Sequence, residues 1–386
     1  MVPKSPKMAR PQDALSAYSP RLAASGTVHG PAPKGSALRI FPPTLYTLRM
    51  TSPARLLELV ERFPGTTVLL LGDLVLDRFV LGTPKRISRE APVIILRRDA
   101  QRDVPGGAAN ALANLAALDV QALPVGVVGD DEPGESLLGA LAERGVDISG
   151  VLRVAGYQTP TKVRILGGGP GALKHQVARY DIEDHLPATG AWLTPMLERL
   201  DRVAPQAQAV ALSDYGYGTV ADEAVRRLAA SGRRPRWTCA DSRSRIAELA
   251  GVDGVTPNLQ ELEAAAGRAL EGDEAVAEAA EALRRRLGAR FVLATRGNRG
   301  MTLLEDGTSA LHIPVFGTDE VADVTGAGDT VLAVLTAALA AGATPAEAAR
   351  LANYGGGVVV MKLGTATVSR QELAAAIERD TGADDP

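Results

Sequence analysis

The 386-residue chain predicts an α/β fold, a mostly parallel central sheet covered by helices on both faces, with a small β lid. Three observations carry this. From residue 66 short apolar strands alternate with helical stretches, the pattern of a parallel sheet buried on both sides. The strands end in "GD", "SDY", "ADS", "TPN" and "TRG", turns that suit ligand contacts beyond the carboxyl ends of such a sheet. Two charged segments, 86–107 and 159–183, break the rhythm with strand-like alternation and little helix.

Taken in order, residues 1–50 are rich in Pro, Ala, Ser and Gly without periodicity, and are expected to be a disordered extension. The folded domain is expected over 51–380. "TSPARLLELVERF" has a serine cap, a proline in the first turn and apolar residues at helical spacing, and predicts the first helix. "TTVLLLGDLVLD" predicts a buried strand ending in a turn. "GGAANALANLAAL" (106–118) predicts a helix, "VQALPVGVVGDD" a strand, and "GESLLGALAERG" a helix closed by glycine. Further strands are expected at 209–215, 236–242, 254–258 and 291–297, most followed by helices such as "LQELEAAAG" and "DEAVAEAAEALRRRLG". The segments outside the rhythm, about 86–104 and 159–182, are read as the lid. No internal repeat is visible.

With 46 % hydrophobic residues the chain can fill a large core, and a formal net charge of −3 gives no reason to expect nucleic acid or a membrane surface as partner. No apolar run reaches the roughly 18 residues that a membrane span needs. The basic N-terminus is followed by no apolar stretch of the signal-peptide kind. The one cysteine, Cys239, excludes an internal disulfide, fits a reducing cytoplasm and is read as core.

The chemistry concentrates in a few motifs. "DVTGAGDTVLAVLTAALAAG" (323–342) places Asp329 at the start of an apolar helix, behind Gly326 and Gly328. Asp329 is either a plain helix cap or a base beside an anion held by helix N–H groups. Capping does not need two glycines, whereas backbone N–H groups turned towards developing negative charge do. "PGGAAN" (105–110) also puts two glycines at a helix start; either they are a flexible entry, or a polyhydroxylated ligand approaches there with Asn110 as partner. "TPNLQELE" (256–263) is either a capping box of Asn258 and Glu261 or a pair holding hydrated Mg²⁺ with nucleotide phosphates. "ATRGNRG" (294–300) is either a hairpin or a phosphate contact through Thr295 and the backbone. No P-loop occurs, no G-x-G-x-x-G follows the first strand, and no G-x-S-x-G is present. The four histidines show no ligand spacing.

In their order along the chain, "GDLVLD", "PGGAAN", "TPNLQELE", "TRGNRG" and "DVTGAGDT" resemble the PfkB (ribokinase-like) family of carbohydrate kinases, from about Val68 to about Leu373. "LGDLVLDRFVLGTPKRISREAPV", "TPTKVRIL", "ALSDYGYG" and "VVVMKLGTATVS" are similar to the kinase domain of the bifunctional heptose enzymes that make ADP-heptose precursors. The resemblance implies a ribokinase-like fold and transfer of the γ-phosphate of ATP, with Mg²⁺, to the anomeric hydroxyl of a heptose 7-phosphate. It implies Asp329 as base and Gly326, Ala327 and Gly328 as anion hole. Asn258 and Glu261 would lie near Mg²⁺ and phosphate, Thr295 and Gly297 in the nucleotide loop, and Asn353 beside adenine. Asp77, Gly106, Gly107 and Asn110 would contact the sugar. Asp323 corresponds to a position near the monovalent-cation (K⁺) site of some members. A homodimer through the lid strands is expected as well.

The chain differs from the heptose kinases at Tyr217, where they carry lysine, and at Asp241-Ser242-Arg243, where they have an Asp-Pro-Lys turn. The nucleotidyltransferase half, with its His-x-Gly-His signature, has no counterpart in the sequence. The lid segments carry Arg86, Arg89, Lys162, Arg164 and Arg179. Lys162, Arg164 and Arg243 are expected to bind the phosphate at the far end of the substrate, Arg243 supplying the charge missing at Tyr217. Two rivals stand beside this reading: another PfkB kinase for a free sugar or nucleoside, and a binding regulator without turnover, which would have no need of Asp329.

Overall fold

Along the strand Thr67–Gly72 (β1) successive side chains enter two different cores: Val68 and Leu70 pack on one side of the sheet, Leu69 and Leu71 on the other. A strand with no solvent face has to be central, and β1 pairs in parallel with strands on both sides. The computed structural model describes residues 52–169, 174–230, 235–317 and 322–382; the extension expected at 1–50 lies outside them.

After β1 the strands are β2 (Leu74–Ile87), β3 (Ile94–Gly107), β4 (Gln121–Gly129), β5 (Val151–Val154), β6 (Thr161–Gly167) and β7 (His175–Ile182). They continue as β8 (Ala209–Asp214), β9 (Trp237–Ser242), β10 (Gly254–Val255), β11 (Phe291–Thr295), β12 (Met301–Glu305) and β13 (Leu311–Ile313). The large sheet runs β13-β12-β11-β10-β9-β8-β1-β4-β5 and is parallel except at β12, which pairs antiparallel with β11 and β13. The chain leaves β1 towards β4 on one side and later returns to β8 on the other. The crevice at this reversal is where such sheets bind ligands. A smaller sheet, β3-β2-β6-β7, stands apart.

The first helix, Pro53–Glu61, is capped by Ser52, whose side chain accepts from the Arg55 N–H. The helix Ala327–Ala340 is apolar all round and buried from Asp329 to Leu339, as a helix must be when it lies between the sheet and another helix. That other helix is Pro345–Val360, started by a capping box of Thr344 and Glu347. Cys239 is fully buried in the core. Among the described residues no helix is long and apolar enough to cross a membrane.

Three expectations need correction. "TTVLLLGDLVLD" is not one strand: the chain changes sheets at Asp73, where its N–H donates to Ser213 O and its carbonyl accepts from Ala108 N. The smaller sheet therefore begins at Leu74, ahead of residue 86. Gly106 and Gly107 belong to β3, opposite Val75 and Leu74, so the helix starts only at Ala108. The strand at 254–258 shrinks to Gly254–Val255, since Pro257 has no N–H for a ladder and Asn258 turns into a helix cap.

Gly254 lies against the Phe291 ring, where a Cβ would approach Cζ to 2.1 Å. Neither the ring, fully buried between strands, nor the backbone can move aside. Gly254→Ala is expected to destabilise the domain by ~1–3 kcal/mol, the range for overpacking, read as a lowered Tm; an unchanged Tm would show that the Phe291 ring yields to a methyl group.

Candidate active site

Gly326 stands at the N-cap of the helix Ala327–Ala340 with φ 80°, and a Cβ there would lie 2.5 Å from Asn110 Nδ2. Both the backbone angle and the space demand glycine. Asp329 follows inside the first turn and is 3 % exposed. It is not a cap: no side-chain capping bond forms at this terminus. Its Oδ1 accepts the Tyr215 hydroxyl at 2.8 Å and its Oδ2 accepts Asn110 Nδ2 at 3.1 Å. Burial pushes the Asp329 carboxyl up to about 7, against the pull of these donors and of Arg243. A carboxylate of that basicity at a helix N-terminus is suited to accept a proton near neutral pH. Gly328 faces open space, as an approaching ligand requires. The Ala327 N–H is turned to Val324 O, at 3.3 Å.

Both donors to Asp329 are themselves held. Asn114 Nδ2 donates to Asn110 O and Oδ1, and Asn114 Oδ1 accepts the Val368 N–H. Asn110 also donates to Gly326 O at 3.2 Å, so it braces the helix start as well as Asp329. On the other side the Asp73 carboxylate accepts the backbone N–H groups of Tyr215, Tyr217 and Thr219 at 2.8–3.0 Å. Arg243 lies over the Tyr215 ring, 4.3 Å from its centroid.

The expected sugar side lies under the smaller sheet. Asp77, Lys162 and Arg164 share one face of it: Asp77 and Lys162 are directly opposite on β2 and β6. Arg164 Nη1 donates to Asp77 Oδ1 at 2.6 Å and stacks on Phe79, while Thr365 Oγ1 donates to Asp77 Oδ2 at 2.9 Å. Gly106 is pressed against the Asp77 carboxylate, with room for no Cβ (2.6 Å), and Gly107 turns the chain with φ 55°. Lys162 Nζ donates to the Tyr217 hydroxyl at 3.0 Å, and that hydroxyl donates to Glu183 Oε1 at 2.8 Å. Asp181 is 3.5 Å from the Lys162 ammonium and also binds Arg179. Burial lowers the Lys162 pKa. Lys162 supplies the ammonium that bonds Tyr217, and the charge of Arg243 reaches both Tyr217 and Lys162 as well. Arg86 and Arg89 do not join this group. Arg86 is exposed, nine residues along β2 from Asp77, ~30 Å away at the rise of a strand.

The expected nucleotide side lies beyond β9–β11. Asn258 and Glu261 form a capping box: Glu261 N donates to Asn258 Oδ1 at 2.9 Å and Asn258 N to Glu261 Oε2 at 2.8 Å. The bland reading of this motif is therefore realised, and it leaves each side chain with further oxygen lone pairs. Burial raises the Glu261 pKa. Asp241, at the end of β9, begins the turn whose next residues, Ser242 and Arg243, depart from the heptose kinases. It is pushed up to about 8, by burial first and then by the charges of Glu261 and Asp329. Arg243 opposes both carboxyls, Asp241 and Glu261. These oxygens are hard donors of the kind Mg²⁺ takes. Among the described residues no group of three or more Asp, Glu, His or Cys side chains is placed to hold a metal by itself. Thr295 closes β11 and bridges to Asn258; Gly297 turns the chain with φ 58°. Asn353 donates to Pro314 O at 2.8 Å. Both oxygens of Asp323 accept backbone N–H groups, from Thr325 and Gly364, whose pull outweighs burial and lowers its pKa.

A parallel sheet with a β lid over a basic carboxylate at a helix N-terminus is the arrangement of a sugar kinase, and comparison with known proteins agrees. Residues 67–372 match the pfkB family of carbohydrate kinases. The chain belongs to this family, and it is an ATP-dependent sugar kinase with a ribokinase-like fold. Among curated proteins, "Bifunctional protein HldE" of Mesorhizobium japonicum is 40 % identical over 333 residues, 86 % of this chain and 66 % of that protein. The protein of the same name from Pseudomonas aeruginosa is 41 % identical over 325 residues, 84 % and 66 %. The chain thus spans just under two thirds of the length of these relatives. Among solved structures, Arabidopsis thaliana ribokinase complexed with ribose and ATP has a TM-score of 0.64 at 21 % identity, over 81 % of this chain and 98 % of that one. Phosphofructokinase-2 from Escherichia coli, in complex with substrates and products, has a TM-score of 0.65 at 20 % identity, over 81 % and 99 %.

The raised carboxyl makes a pH prediction. Asp329 titrates near 3.8 in the unfolded chain and at about 7 in the folded one. Between those values the folded state keeps a proton that the unfolded state has lost, so the ligand-free fold loses stability as pH rises through this window. Asp329→Asn removes the effect. In melts of the ligand-free protein the variant is expected to gain on wild type from about pH 4 to about pH 7, by up to about 4 kcal/mol at ~1.4 kcal/mol per unit. A difference that does not change with pH would show that Asp329 is not perturbed.

Proposed function

We propose that the enzyme phosphorylates the anomeric hydroxyl of a heptose 7-phosphate. The observation that carries the reading is the pair Lys162 and Arg164 on the inner face of the smaller sheet, within "TPTKVRIL", where the likeness to heptose kinases is strong. The HldE-named relatives support it. In this reading Asp329 takes the proton of the attacking hydroxyl, and the N–H groups of Gly326, Ala327 and Gly328 receive the transferring phosphate. Arg243, beside Tyr215 and within the field of Asp329, Asp241 and Glu261, neutralises charge at the same end. Asn258, Glu261 and Asp241 would hold Mg²⁺ through water and nucleotide oxygens; when bound, the ion supplies neutralisation of phosphate charge. Thr295 and Gly297 meet the nucleotide phosphates and Asn353 borders adenine. Asp77, Gly106, Gly107 and Asn110 line the sugar, and Asp323 orders the loop near a monovalent cation. The smaller sheet is the lid that excludes water.

A second reading has its own observation. Three of the lid cations already face a carboxylate: Arg164 has Asp77, and Lys162 and Arg179 have Asp181. Cations already paired in this way suit an unphosphorylated sugar. The deciding measurement is kcat/KM for the sugar with and without its terminal phosphate. The phosphorylated form is expected to be preferred. Lys162→Ala should raise its KM roughly 10-fold, the loss of one charge-assisted hydrogen bond, with KM for ATP unchanged. Equal values, or preference for the free sugar, would leave the second reading standing.

We further propose a homodimer through the lid. The face opposite Asp77 and Lys162 is apolar and concave, lined by Val80, Ile94, Leu96, Ile165 and Val177, and encloses about 630 Å³. Ile94 and Val177 there are 45 % and 49 % exposed, and Ile87 at the hairpin tip is 71 % exposed. Light scattering after gel filtration is expected to give twice the chain mass, and Val177→Asp to give the single chain; a monomeric wild type would end the proposal.

A further inference from the structure

We propose that Tyr215 is a positioning residue for the base, its hydroxyl holding Asp329 in line while the Asp73 carboxylate holds Tyr215. The proposal rests on the reading of Asp329 as base and goes beyond it, since neither family motif nor sequence spacing assigns Tyr215 a role. Three contacts carry it. The phenol donates to Asp329 Oδ1 at 2.8 Å. Its backbone is tied through the Tyr215 N–H to Asp73 Oδ2 at 2.8 Å, with the N–H groups of Tyr217 and Thr219 on the same carboxylate. Its ring is covered by Arg243. Main chain, ring and hydroxyl are each constrained, so the hydroxyl has one place to go.

The consequence for Asp329 is geometric. With Tyr215 on one oxygen and Asn110 on the other, the carboxylate cannot rotate about its Cβ–Cγ bond without breaking a buried hydrogen bond. Each oxygen keeps a lone pair for the substrate proton. A tyrosine that only filled space would be served as well by phenylalanine. This one also donates to the ionised form of the base and so favours it. Burial and the neighbouring Asp329 charge keep the phenol protonated well above its ordinary range, so the donor is present wherever the enzyme works. The other groups facing Asp329 are Asn110 from the helix after β3, Arg243 from the loop after β9, and Asp77 from β2, with Asp241 at the end of β9. Arg243 lowers the Asp329 pKa and Asp77 raises it; Tyr215→Phe leaves both charges in place.

The test is the pH profile of kcat/KM for Tyr215→Phe, with ATP and the better acceptor of the phosphorylated and free sugar. Loss of the donor should move the acidic limb upward by about one pH unit, a roughly tenfold loss of rate below the limb that closes at high pH, with KM for ATP unchanged. A limb in its wild-type place, or an equal loss at every pH, would overturn the proposal. If Tyr215→Phe does not fold, site-specific 3-fluorotyrosine at 215 serves instead: a more acidic phenol is a stronger donor, so the limb should move down, and an unmoved limb overturns the proposal equally. Asp329→Asn separates the two claims. If it is inactive at all pH while the Tyr215 variants are unshifted, only the role of Tyr215 falls; if it turns over near the wild-type rate, the base reading falls and the role of Tyr215 with it.

Discussion

The Asp73 carboxylate, at the end of the central strand, organises the crevice. It is buried and accepts three backbone N–H groups from the loop after the neighbouring strand β8. A buried charge is tolerated only with such donors, and even so burial and the nearby Asp214 raise its pKa against them. The geometry follows from this tie. Two strands that diverge in sequence end side by side, with Gly72 too close to Ser213 O to carry a Cβ (2.5 Å). Tyr215 and Tyr217, two residues apart, are thereby sent in different directions: one to Asp329, the other to Lys162 and Glu183.

Each tyrosine links this loop to a different part of the candidate site. Through Tyr215 the loop reaches the start of the helix Ala327–Ala340; through Tyr217 it reaches β6 and the end of β7. The second link is a latch made of charges. Lys162, Arg164 and Arg179 face Asp77, Asp181 and Glu183, so these three cations are already balanced by carboxylates. An anionic group entering there has to exchange partners with these carboxylates rather than fill an empty cationic pocket. That makes its binding sensitive to geometry, and buried ion pairs are better at fixing position than at adding stability.

Much of this was legible in sequence where the signal is local. Short apolar runs between helical stretches marked β1, β4, β8 and β11, and the apolar run after Asp329 marked a helix. Asn258 and Glu261, three apart, read either as capping box or as phosphate-side pair, and the structure realises the first without spending every oxygen on it. The misses have physical causes. The break at Asp73 was hidden because "VLLLGDLVLD" stays apolar across a change of sheet, and period two does not tell which sheet a strand joins. Asp241 and Tyr215 fell within the strand-end turns "ADS" and "SDY" but with no role of their own, since a strand-end aspartate or tyrosine is an ordinary residue until its neighbours are known. The stacking of Arg243 on Tyr215, with its charge reaching Lys162 and Tyr217, could not be read either, because charge is visible in sequence and direction is not.

The sequence by itself determined the layered α/β architecture, the order of the motifs and the glycines on which a close approach depends, because these rest on residues within a turn or two of one another. Only the tertiary structure decided what Asp329 is. It meets Asn110 across 219 residues and Tyr215 across 114. Its basicity comes from being buried among groups gathered from four separate elements. Burial and hydrogen-bond direction belong to the packed molecule, and no periodicity in the chain encodes them.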